Sequence, residues 1–144
     1  MRIVIQRVKS ASVTVDNQQV SAIGHGTLAL VGLHQEDTES DLHYCAKRLL
    51  AIKLWENDNG APKKNQPDYK LAMKNVEARE MYNKFLNMLR DDYDASKIFD
   101  GKFGEMMDVG LVNDGPVTMV IDSREGMIGS QMSSISLSDS DKNT

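Results

Sequence analysis

Cysteine occurs once in this 144-residue chain, at Cys45, which excludes an intrachain disulfide and any metal site built on paired cysteines. Histidine is nearly as scarce. His25, His34 and His43 are scattered, with no carboxylate at a familiar ligand spacing, so no structural metal is expected. Long hydrophobic runs are missing too, and without about twenty consecutive apolar residues no membrane-spanning helix is expected. Arg2 and Arg7 flank an apolar run of only three residues, too short for a secretory leader, so the expected compartment is the cytoplasm. Positive charge is in deficit, 17 Lys and Arg against 21 Asp and Glu, for a net charge of -4. That balance argues against a broad grip on DNA, whose nonspecific affinity comes from many phosphate contacts. It leaves room for a protein that holds only the end of an RNA in a shaped pocket.

What is present suits one globular domain, with 40% apolar and 26% charged residues. Ile3, Ile5 and Arg7 alternate with Val4, Gln6 and Val8, and Val13 and Val15 with Ser12, Thr14 and Asp16, the period of two that marks strands. Asp16-Asn17 supplies a turn, Val20 to Ile23 returns, and Gly24-His25-Gly26 turns again, a pattern that predicts a meander of short strands. The continuous apolar run Leu28 to Leu33 reads as a strand buried on both faces. Thr38 is placed to cap a helix whose first turn is acidic, with Leu42, Cys45, Ala46, Leu49 and Leu50 as its apolar stripe. On that stripe Cys45 reads as a packed thiol rather than a nucleophile. Ile52 to Trp55 suggests another strand. A second helix is predicted over Lys70 to Asp92, with Met81, Tyr82, Phe85, Leu86 and Leu89 facing inward. Two more strands, Met107 to Leu111 and Val117 to Ile121, read as partners of one another. Beyond Ser123, the serines at 130, 133, 134, 136, 138 and 140 among charged residues predict disorder. The expected organisation is an α+β domain over 1–123, a mostly antiparallel sheet or barrel packed against two helices, and a disordered Ser-rich tail over 124–144.

Between the last two apolar runs lies Asn113-Asp114-Gly115-Pro116-Val117-Thr118. Proline fixes its own φ and donates no backbone hydrogen bond, and the glycine before it adopts angles closed to other residues, so the dipeptide is able to present bare carbonyls. A tight turn joining two strands also accounts for these residues.

The opening block, Met1-Arg2-Ile3-Val4-Ile5-Gln6-Arg7-Val8 with Ala11 to Val15, resembles the D-aminoacyl-tRNA deacylase family. So does the closing block, Gly101-Lys102-Phe103-Gly104 through Asn113 to Thr118 and on to Ile121-Asp122-Ser123. The resemblance implies a cytoplasmic homodimer that hydrolyses the ester of D-aminoacyl-tRNA, and of mischarged glycyl-tRNA, as chiral proofreading in translation. It implies a Gly-cisPro dipeptide, Gly115-Pro116 here, that enters the partner's pocket and rejects L side chains by its backbone. It further implies that Val117 and Thr118 belong to the substrate-binding segment, that Arg7 holds the dipeptide, and that Tyr69 lines the pocket where phenylalanine is usual. No cofactor or metal is implied. Oxyanion stabilisation falls to backbone N–H groups, with help from the adenosine 2'-hydroxyl.

One departure is large. Where family members place a turn, a strand, a Ser-Gln-aromatic-Thr-Leu motif and a loop, this chain has only Ala61-Pro62 between Gly60 and Lys63. The catalytic residues therefore stay unassigned. Ser130-Gln131-Met132-Ser133 follows the last strand and lacks the Thr-Leu, so it is not expected to replace the motif. Lys63, Lys64, Lys70 and Lys74 beside the departure fit either phosphate contacts or a solvated helix start. An inactive shortened form that binds the full-length enzyme or its tRNA is the alternative reading.

Overall fold

A computed structural model describes residues 1–52 and 72–124. The elements run β1 (Arg2–Val15), β2 (Gln18–Ile23), β3 (Gly26–Gly32), α1 (Glu39–Ala51), α2 (Asn75–Asp92), a short 3-10 turn (Ala95–Lys97) and β4 (Asp108–Asp122). Of the expected strand Ile52 to Trp55 only Ile52, which ends α1, is described; its other residues, Tyr69, three of the four lysines and residues 125–144 of the tail lie outside the described residues.

The sheet is organised around β1. Its 14 residues are alternately apolar and polar for much of their length, and it reverses into β2 through Asp16 and Asn17, which take φ of 49° and 62°. Asp and Asn tolerate this left-handed region better than most residues, and two such residues make a two-residue turn that matches strand twist. The expected meander does not form. β2 pairs with residues 11–15 of β1, β3 pairs with residues 2–8, and β2 and β3 do not pair with each other. Because β1 is longer than β2 and β3 together, it offers each a separate stretch.

Along its other edge β1 pairs antiparallel with β4, from Arg2 opposite Asp122 to Thr14 opposite Asp108. This corrects the expectation of two strands that pair with one another around Gly115-Pro116: residues 108–122 are one strand, and both halves bond to β1. Among the described residues the sheet is open rather than closed into a barrel, and all its pairings are antiparallel.

Register decides which face is core. Ile3 sits opposite Val31 and Ile121, and Ile5 opposite Ala29 and Met119, so two rows of three apolar residues cross the sheet on one face. Leu42, Cys45 and Ala46 of α1 and Phe85 and Leu89 of α2 join them, together with Met1. Burial of side chains as large as Ile3, Ile5, Leu42 and Phe85 contributes about 1.5 to 3 kcal/mol each. The run Leu28 to Leu33 is buried on one face only: Ala29, Val31 and Leu33 pack on the core, while Leu30 is 51% exposed. Both helices pack on the first face.

Helix α1 begins as its sequence predicts. The Thr38 N–H and hydroxyl both donate to Asp41 Oδ2, at 2.8 and 3.1 Å, and Asp41 N donates to Thr38 O at 3.0 Å. Burial pushes the Asp41 carboxyl up, but hydrogen bonds from Ser123 and from Thr38 outweigh it, so the carboxyl titrates below its ordinary value. Helix α2 starts at Asn75 rather than Lys70. Ala72 forms a bridge with His34 and Met73 N donates to Leu33 O at 3.1 Å, which ties those residues to the end of β3 instead of to a helical turn.

Candidate functional site at the Gly115-Pro116 bulge

The β1–β4 ladder shifts register twice, between Gln6 and Val8 and between Val8 and Ser10, and the first and larger shift falls on the Gly-Pro dipeptide. Gln6 pairs with Thr118 and Val8 with Asn113, so on β1 only Arg7 stands between the paired residues, against Asp114, Gly115, Pro116 and Val117 on β4. Four residues opposite one cannot stay in a flat ladder, so the surplus backbone leaves the sheet as a wide bulge. The Gly115-Pro116 peptide is cis, and both residues are exposed.

Several contacts hold the bulge. Arg7 Nε donates to Asp114 O at 3.0 Å and lies 3.9 Å from Asp114 Oδ2. The guanidinium also borders Gly115, where an added Cβ would meet Arg7 Nη2 at 3.1 Å, Val117 Cγ2 at 3.0 Å and Val117 N at 3.2 Å. Gly115 has φ of 123°, a region that L side chains rarely adopt, so glycine is required here both by backbone conformation and by space. On the far side, Val117 packs against the core and Thr118 is back in the ladder opposite Gln6. The exposed dipeptide is thus tethered by an arginine on one side and by core packing on the other.

Of the residues expected at a site, Arg7, Gly115, Pro116, Val117 and Thr118 come together, and Tyr69 lies outside the described residues. Asp114 is the residue that sequence reasoning missed, since its carbonyl takes the Arg7 hydrogen bond. Its position next to Gly115 was a signal, but a partner 107 residues away in the chain leaves no local trace. Cys45 is fully buried, and desolvation raises its thiol to about 11, so it stays protonated near neutral pH and has no nucleophilic role there. No group of three His, Cys, Asp or Glu that could hold a metal occurs among the described residues. A cleft of about 230 Å³ lined by Gln35, Asp37, Met73, Glu77, Glu80, Met81 and Lys84 shares no residue with the bulge. Its three carboxylates suit no phosphate-bearing ligand. Among the described residues no helix is long and apolar enough to cross a membrane.

The fold has solved counterparts. A c-Myc DNA unwinding element binding protein superposes with a TM-score of 0.76 at 36% identity, covering 85% of this chain and 98% of the other. A probable eukaryotic D-amino acid tRNA deacylase shares the fold with a TM-score of 0.62 at 14% identity. The sequence model of the D-Tyr-tRNA(Tyr) deacylase family matches residues 4–65 and, separately, 60–122. A D-aminoacyl-tRNA deacylase of Drosophila melanogaster is 42% identical over 148 aligned positions, covering 87% of this chain and 94% of the relative. D-aminoacyl-tRNA deacylase 1 of Homo sapiens is 37% identical, covering 85% of this chain and 70% of the relative. The chain belongs to the D-Tyr-tRNA(Tyr) deacylase family. Since 87% of 144 residues is about 125, about 23 of the 148 positions aligned with the Drosophila protein have no residue of this chain opposite them.

Proposed function

We propose that this protein acts on D-aminoacyl-tRNA, hydrolysing the ester between the D-amino acid and the terminal ribose, with glycyl-tRNA as a second substrate. Water adds to the ester carbonyl, the bond from that carbon to the ribose oxygen breaks, and the products are the free amino acid and a tRNA with its hydroxyl restored. Gly115 and Pro116 are the L-rejecting element in this reading, Arg7 positions them, and Val117 and Thr118 fix the segment's exit. The observation that carries it is the four-against-one bulge: main chain held away from the sheet by Arg7 excludes by shape, without relying on any one side chain. Such a filter acts on every L-residue at once. A homodimer in the cytoplasm, working in translational proofreading, completes the proposal. The net charge of -4 favours a grip on an RNA end over one on a long DNA duplex.

The test is hydrolysis of matched D- and L-aminoacyl-tRNA by the purified chain. A D-over-L rate ratio of a hundredfold or more, about 2.7 kcal/mol of discrimination, is expected. Equal rates on the two stereoisomers overturn the reading.

A second reading is supported by the family match, which comes in two pieces meeting at residues 60–65, and by the 23 or so positions without counterpart. In it the domain over 1–123 is internally shortened near 60–63, lacks the wall that catalyses, and binds the complete enzyme or its tRNA without turnover. Co-purification with a full-length relative, and no hydrolysis by this chain alone, separate it from the first.

A further inference from the structure

Strand β1 has neighbours on both sides, yet Lys9 pairs with none of them. Residues 2–8 of β1 pair with β3 and residues 11–15 with β2, and β4 pairs along both stretches, but Lys9 has no partner in any of the three registers. Two changes meet at this place. β1 passes from β3 to β2 between Val8 and Ala11, and against β4 it steps from Asn113 at Val8 to Val112 at Ser10, with Lys9 as the surplus residue. A surplus residue of this kind is a β-bulge, which re-aims a side chain and recurs beside functional sites. Lys9 is exposed, and its ammonium has no carboxylate partner among the described residues. The two arginines of the same strand are held: Arg2 pairs with Asp122 at 2.8 Å, and Arg7 Nε donates to Asp114 O at 3.0 Å. Lysines on edge strands block unwanted pairing, but β1 is not an edge, so that role does not account for Lys9.

We propose that Lys9 holds the RNA end, its ammonium binding one of the two phosphodiesters nearest the terminal ribose while Gly115 and Pro116 face the amino acid. The assignment rests on the aminoacyl-tRNA reading above and adds to it the contact that holds the RNA. Val8 pairs with Asn113, two residues before Gly115, so Lys9 stands one residue step of about 3.8 Å and one strand width of about 4.8 Å from the segment that enters the bulge. Its flexible four-carbon stem brings the rim of the bulge within reach. The ester to be cleaved sits on the terminal ribose, so the phosphodiesters next to that ribose lie within a nucleotide or two of the bulge. A lysine suits such a target, because its ammonium is a compact point charge whose donors need no fixed orientation. Arg7 is engaged by Asp114 and leaves this task to Lys9. With a net charge of -4, affinity for RNA depends on a few placed cations of this kind.

The test measures binding of an RNA stem-loop with a single-stranded 3′ end to the wild type, Lys9→Gln, Lys9→Arg and Lys47→Gln, the last at an exposed lysine of α1. Lys9→Gln should weaken binding about threefold or more at low salt, and should make the slope of log affinity against log salt shallower by about 0.7, the share of one phosphate on a single strand. Lys9→Arg should keep the wild-type slope, and Lys47→Gln should leave both quantities unchanged. The same RNA carrying uncharged methylphosphonates in its last two linkages closes a double-mutant cycle: with that charge gone, Lys9→Gln should cost nothing further. An undiminished loss on the neutralised RNA, an equal loss from Lys47→Gln, or no binding of the RNA by the wild type overturns the proposal. Hydrolysis of matched D- and L-aminoacyl-tRNA tells the two possible failures apart. Equal rates on both stereoisomers, with the Lys9 cycle intact, remove the catalytic reading and leave the RNA contact standing. Discrimination in favour of the D-substrate with no Lys9 effect on binding removes the contact alone.

Discussion

Gly115 is the residue on which the shape of the bulge turns, because backbone angle and free space both demand glycine there. The flexible end of Arg7 is able to yield to a methyl group, but the Val117 backbone nitrogen is not. Gly115→Ala is therefore expected to cost about 1 to 3 kcal/mol of stability and to displace the dipeptide. The D-over-L rate ratio should fall at least tenfold, measured on matched aminoacyl-tRNA substrates. Cys45 gives a second prediction at this scale. Its thiol, raised by burial to about 11 from an ordinary 9.0, keeps its proton in the folded state over a range where the unfolded chain loses it. Between about pH 9 and pH 11 the native state binds more protons, so stability falls as pH rises. Urea unfolding at these two pH values should show a loss of about 1 to 2 kcal/mol in the wild type that Cys45→Ala lacks.

At the scale of elements, the start of α1 and the bulge in β4 differ in how far the chain alone reveals them. Thr38 was readable as a cap because a cap is a local signal, and the structure adds its partner Asp41, three residues on. Thr38→Ala should cost about 1 kcal/mol by denaturant titration. Asp41 adds a pH dependence: its carboxyl is held below the ordinary value, so its contribution is present above the unfolded pKa and is lost as pH falls through the lower folded one. Asp41→Asn should flatten the acid limb of the stability curve accordingly. The turn at Asp16-Asn17 was likewise legible, since two adjacent residues tolerant of positive φ suffice for it. Residues 108–122 were not. Two apolar runs around Gly-Pro fit a hairpin equally well, and the partner that makes them one bulged strand is β1, a hundred residues earlier. Arg7 suffers the same ambiguity. Its residue type suited a site, but its hydrogen bond to the Asp114 carbonyl exists only once β1 and β4 are in register.

Across the whole molecule, both helices cover one face of the described sheet, and its strands carry exposed apolar side chains, Leu30 at 51% and Val112 at 54% among them. Apolar strands beside open edges invite association of unfolding chains. Leu30→Lys should delay the onset of light scattering on heating while moving the unfolding free energy by less than about 0.5 kcal/mol, since Leu30 faces away from the core. The long ladder between β1 and β4 also joins the start of the described chain to its end, so the domain should unfold in one step when followed by fluorescence and circular dichroism together.

By itself the sequence determined the class of fold, the two helices and their inner faces, the local turns and caps, and the family, because each of these rests on periodicity, on neighbouring residues or on motif order. The tertiary structure alone decided that β2 and β3 share β1, that β3 is buried on one face, and that Gly115 and Pro116 form a bulge gripped by Arg7. The physical reason is range. Strand pairing and burial are settled by which distant segment supplies the hydrogen bonds and the covering surface, and no local preference encodes the choice of that segment.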